Sequence, residues 1–181
     1  MIRQQTTITL FIIIGLIVAG GLAALPRFQQ YENIDQAAPE ISSNNWLNSK
    51  PLSLASLQGK VVMVEFWTFG CYNCVNIQPY LKKWYSKYHQ AGFELVAVHA
   101  PEFEHERDIK NVQRYVTQNN IDYPVVIDND FTIWRRYANR YWPAMYLIDK
   151  TGKIRYRHIG EGAYMKTEQM IKALLAEPSS T

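Results

Sequence analysis

Three features of the sequence predict an α/β fold with a mixed central sheet flanked by helices. Apolar β-rich runs alternate with segments of helical periodicity, two further runs flank a tight turn, and an amphipathic helix closes the chain. One N-terminal transmembrane helix is expected ahead of the domain. The 181 residues divide into a signal anchor at 1–27, a linker at 28–50 and the folded domain at 51–178.

The anchor rests on Ile8 to Leu25, 18 residues without a charge. As a helix at about 1.5 Å per residue they would span roughly 27 Å, near the apolar thickness of a bilayer. Arg3 and Arg27 bracket the run. Its length favours an uncleaved anchor, with Gly21-Leu22-Ala23 as the cleavage site of the alternative, a removed signal peptide. Either way the domain is expected outside the cytoplasm, on the periplasmic side of a single-pass membrane anchor. Pro26, Pro39, Ser42, Ser43 and the asparagines up to residue 50 have the composition of a tether.

Within the domain, "VVMVEFW" (61–67) has the length and composition of a buried central strand. Ile77, Tyr80, Leu81, Trp84, Tyr85 and Tyr88 then recur at helical spacing, and Gly92 ends that helix. "FELVAVH" (93–99) is the next strand, a helix is expected from about Glu106 to Asn119, and "YPVVID" (123–128) is a third strand. A short helix near 131–138 follows. "AMYLID" and "KIRYRHI" flank Lys150-Thr151-Gly152 as an antiparallel hairpin. The last helix is expected over 167–176, with Thr167 as its N-cap and Pro178 beyond its end.

The only two cysteines, Cys71 and Cys74, fall where the first central strand turns into its helix. A bridge across so short a loop constrains little of the unfolded chain, so a structural staple is a poor reading. Structural zinc needs about four ligands, and the histidines at 89, 99, 105 and 158 are scattered singly. A redox dithiol remains. A cysteine at the first helical turn has its thiolate stabilised by free N–H groups and the helix dipole, which makes Cys71 the nucleophile. Cys74, one turn on, is the resolving thiol. Glu65 breaks the apolar pattern of its strand: if buried, it is raised in pKa and can exchange protons with the resolving cysteine; if the strand frays, it meets Lys60 or solvent.

The stretch 60–80 resembles the active-site strand and helix of the thioredoxin superfamily. Phe66-Trp67, the Cys-x-x-Cys and Pro79 carry the likeness, with Glu65 at the position of the buried acid. "YWPAMYLID" resembles the loop that carries that superfamily's cis-proline, which implies that Pro143 faces the cysteines. "FWTFGCYNC", "HAPEFEHE", "YPVVIDND" and "IRYRHIGEGAY" are similar to the TlpA/ResA-like exported thioredoxins and the thioredoxin domain of DipZ-type proteins. The resemblance implies a thioredoxin-like fold with a βα insertion between residues 93 and 126. Two departures are evident: Gly70 stands where many thioredoxins have tryptophan, and Tyr72-Asn73 replaces Gly-Pro between the cysteines.

The expectation is therefore a membrane-tethered thiol–disulfide oxidoreductase, reducing protein disulfides and recharged by a membrane electron donor. Trp67 and Trp142 are expected to border the substrate surface. No cofactor is expected, and a net charge of +3 without a clustered basic patch gives no warrant for nucleic acid. The alternative is a copper- or other metal-binding thioredoxin-like module using the two thiolates with His99 or His158. The acids and histidines of "HAPEFEHE" read as a strand end meeting a helix N-terminus, and Glu161 as a turn residue.

Overall fold

The computed structural model describes residues 34 and 36–178; the expected anchor and its cleavage site lie outside them. The chain runs through β1 (Gln36–Ala37), β2 (Trp46–Leu47), β3 (Val61–Trp67), α1 (Tyr72–Tyr88), β4 (Phe93–His99) and α2 (Ile109–Gln118). It continues through β5 (Val125–Ile127), α3 (Thr132–Arg136), β6 (Ala144–Ile148), β7 (Lys153–Ile159) and α4 (Tyr164–Ala176). Short 3₁₀ turns occupy Ala55–Leu57, His89–Ala91 and Glu104–Glu106.

The described strands form one sheet in the order β1-β7-β6-β3-β4-β5-β2, with β3 at its centre. β3 and β5 run parallel to β4, whereas β6 runs antiparallel to β3. Every residue of β3 and β4 is buried, because both faces of the sheet are covered. Strand alternation divides the apolar residues between two layers. Val61, Met63 and Trp67 of β3 pack with Ile77, Leu81 and Trp84 of α1, Val112 of α2 and Ile171 of α4. Val62, Val64 and Phe66 pack on the opposite face with Ile133, Tyr137, Leu57 and Ile41. This is a thioredoxin-like α/β fold. Helix α2 and strand β5, between residues 93 and 127, supply an added parallel strand where the βα insertion was expected.

The segment read as a linker belongs to the domain. β1 pairs with β7 and β2 with β5, so residues 36–47 close both edges of the sheet. Ile41 is fully buried in the second core layer. The composition of a tether misled because two-residue strands leave no periodic signal.

The last helix also differs. It starts at Tyr164, one turn before the expected N-cap. Thr167 lies inside it, fully buried, with its hydroxyl bonded to the Ala163 carbonyl oxygen and to Tyr156 Oη. The extra turn is held by Tyr164 stacking on Tyr80 of α1 at 3.6 Å between ring centroids.

Candidate active site

β3 ends at Trp67, Thr68–Gly70 turn the chain, and α1 begins at Tyr72, so the cysteines lie at the carboxyl edge of the central strand. Cys71 is the N-cap of α1, with extended φ and ψ of −82° and 113°, and its sulfur accepts a hydrogen bond from the Cys74 N–H at 3.2 Å. The free N–H groups of the first turn therefore point toward the Cys71 sulfur, where a thiolate gains most from them. Cys71 and Cys74 form a disulfide with their Cα atoms 5.2 Å apart. Cys71 is half-buried, whereas Cys74 is 1% exposed and faces the core.

Glu65 points into the layer beneath α1. Its strand neighbours are Ala97 and Met145, and alternation puts it on the face shared by Met63 and Trp67. It is 1% exposed and its Oε1 has no hydrogen-bond partner. Lys60, the alternative partner, is bonded to Glu94 instead. Burial holds the Glu65 carboxyl well above its usual range, and the phenol of Tyr123 is raised first by its own burial and then by the Glu65 charge. Gln78, one helical turn beyond Cys74, is buried in the same layer; its Oε1 accepts from Tyr115 Oη while its Nε2 has no partner. A carboxyl whose pKa burial raises, on the sheet face that α1 covers, is suited to exchanging a proton with a thiol in that layer.

Pro143 precedes β6 and its peptide bond with Trp142 is cis. Because Ala144 pairs with Phe66, Pro143 stands at the level of Trp67, on the sheet edge that carries the cysteines. Trp142 is half-buried, donates from Nε1 to the Ala100 carbonyl oxygen at 3.0 Å, and packs on Trp134. Trp67 corrects an expectation. It is 2% exposed, in edge contact with His99 and tilted against Tyr115, so it forms the floor under the motif and offers no surface to a substrate. An odd-numbered position on a strand covered by α1 allows nothing else.

One group escaped the sequence reading. Glu106 lies in the 3₁₀ turn before α2, whose first residue is Ile109 and whose N-cap is Asp108, so it is not an acid at that helix terminus. It is fully buried and bonded to two loops at once. Its Oε1 accepts from the Gly70 N–H at 2.8 Å, and its Oε2 accepts from the N–H groups of Glu102 at 2.6 Å and Phe103 at 2.8 Å. Burial alone would raise this carboxyl, but the bonds from Phe103, Thr68, Glu102 and Gly70 outweigh it and hold the group below its ordinary value. A Cβ at position 70 would collide with Glu106 Oε1, so a larger residue there would have to push the carboxylate off its bond to the Gly70 N–H. His99 lies beside this pair, its Nε2 3.3 Å from Thr68 Oγ1 and its ring stacked on Phe69. Burial pushes the His99 imidazole down to about 4, against the opposing pull of Glu106, so it is neutral under ordinary conditions.

Glu161 leaves the role of a plain turn residue: its carboxylate accepts from Asn76 Nδ2 of α1 and from Tyr164 Oη, tying the β7–α4 loop to the active-site helix.

Comparison with known proteins agrees with this geometry. A family described as the AhpC/TSA family matches residues 34–157. Protein DipZ of Mycobacterium bovis is 40% identical over 80% of this chain, which spans only 23% of that protein's length. The thiol-disulfide oxidoreductase ResA of Bacillus thuringiensis is 31% identical, with 91% of this chain and 95% of that protein covered. A thioredoxin-like protein solved in its oxidized form superposes with a TM-score of 0.71 at 31% identity, covering 79% of this chain and 97% of the other.

Proposed function

Because the chain belongs to the AhpC/TSA family and is a thiol–disulfide oxidoreductase, we propose that it reduces disulfides of protein substrates outside the cytoplasm, from a membrane tether. The observation that supports this most is the asymmetry of the pair: Cys71 reaches the surface at a helix N-cap and Cys74 is sealed beneath it. In the reduced protein the Cys71 thiolate attacks one sulfur of a substrate disulfide. That S–S bond breaks, a new one forms to Cys71, and the first substrate thiolate leaves. Cys74 loses its proton, with Glu65 as the acceptor in its ionised form, and attacks the Cys71 sulfur. The second substrate thiolate leaves, and the dithiol has passed two electrons and ends as the Cys71–Cys74 disulfide.

Recharging needs a thiol reductant, and the uncharged run from Ile8 to Leu25 supports a donor in the membrane. The direction follows from the compartment. Exported chains meet machinery that forms disulfides, so a tethered dithiol there has most use in undoing them. Pro143 and Trp142, on the same edge as the cysteines, are the proposed contacts for the substrate chain. Cys71→Ser is expected to abolish disulfide reduction, and Cys74→Ser to accumulate mixed disulfides with partner proteins, visible on non-reducing gels. Mixed disulfides trapped by Cys71→Ser, and none by Cys74→Ser, would reverse the two roles.

A further inference from the structure

A large, half-exposed apolar side chain lies against Gly70, one residue before Cys71. Phe103 is 52% exposed, although it follows a fully buried strand and is held by a buried carboxylate. Its Cδ2 lies 3.6 Å from the place a Cβ of Gly70 would occupy, so the ring covers the backbone one residue before the nucleophile. Its support is continuous: Phe103 stacks on His105, His105 meets the edge of Phe69, and Phe69 stacks on His99 and Tyr115. Tyr72, the residue after Cys71, is 77% exposed.

We propose that Phe103 is a specificity-determining residue, fixed beside Cys71 by the Glu106 carboxylate, and that it selects polypeptide disulfides with an apolar side chain next to the attacked cysteine. The inference rests on the functional reading above and names the substrate class it prefers. Glu106 is the positioning residue. By accepting from Gly70 on one oxygen and from Glu102 and Phe103 on the other, it makes the turn before Cys71 and the loop bearing Phe103 a single unit. Holding the ring in place before the encounter removes the ordering cost that a free loop would add on binding. The occupant is a polypeptide, because the ring lies against Gly70, one residue before the sulfur that exchanges with a protein disulfide in the proposed reaction. An apolar neighbour of the substrate cysteine would cover the exposed half of the ring as the mixed disulfide forms.

The test uses the full-length reduced protein and single-turnover reduction of three probes. Two are disulfide-linked peptides that differ only in leucine or glycine beside the cysteine, and the third is glutathione disulfide. The wild type is expected to favour the leucine peptide, and Phe103→Ala to lose about tenfold on it while staying within about twofold on the other two. Glu106→Gln keeps the size but can accept toward only one loop at a time, so it should reduce the leucine-to-glycine preference in the same sense. The double variant should lose no more preference than either single one, since both remove the same contact. An unchanged preference in Phe103→Ala, or an equal slowing of all three probes by Glu106→Gln, overturns the proposal. Failure of the wild type to reduce any probe would instead overturn the functional reading on which it stands.

Discussion

A carboxyl buried in an apolar layer without a hydrogen-bond donor costs stability whenever it ionises, and Glu65 is such a group. Its pKa is raised by burial, so its contribution to stability is complete below the unfolded value of 4.5 and is lost as pH rises through the folded value. Glu65→Gln keeps the shape and removes the titration. The variant is expected to gain stability over the wild type as pH rises above 4.5 in urea unfolding, while thiol–disulfide exchange near neutrality slows by about 10²-fold. A constant stability difference and an unchanged exchange rate would leave Glu65 without the proton-handling role. His99 has the opposite sign. Its imidazole is lowered by burial to about 4 from 6.5, so the unfolded chain binds the proton first and stability is lost as pH falls between those values. The wild type should lose about 3 kcal/mol more than His99→Gln across that window, measured by denaturant titration at each pH. Glu65 was legible in the sequence because it interrupts an apolar strand. Glu106 was not: its donor Gly70 lies 36 residues away, and a string of acids before a helix looks like ordinary dipole complementarity.

At the scale of elements, strands and helices with a strong repeat were legible. β3 and β4 occupy the residues read from their apolar runs, and the antiparallel hairpin of β6 and β7 flanks the expected turn. Boundaries moved where tertiary contact outweighs local signal. α2 starts only at Ile109, because Glu104–Glu106 is diverted into a 3₁₀ turn that delivers Glu106 to Gly70. α4 gains a turn through the Tyr80–Tyr164 stack. The edge strands β1 and β2 were illegible, since two residues carry no period. Ile41 tests their status: as part of the core, Ile41→Ala should cost about 2–4 kcal/mol in unfolding free energy. A loss within about 0.5 kcal/mol, the usual effect at an exposed site, would return the segment to the role of a tether.

Across the whole molecule, the seven-strand order puts the single dithiol at the edge of the central strand. Pro143 reaches the same edge from β6 and the Phe103 loop reaches it from the end of β4. The proposed site therefore draws on three segments distant in sequence. The Cys-x-x-Cys and its strand–helix setting were readable from spacing, but the assembly around them needed the fold. Two electrons must enter and leave through Cys71 and Cys74, and the state of that couple is what the reductant reading depends on. Equilibrating the full-length protein in dithiothreitol and glutathione buffers, and quantifying its free thiols, measures the couple directly. The expected result is a reversible two-electron transition at a potential well below the roughly −120 mV of a strong disulfide donor. A potential near that value with rapid oxidation of a reduced peptide, or no reversible transition in a protein that instead retains stoichiometric copper on the two thiolates, would contradict it.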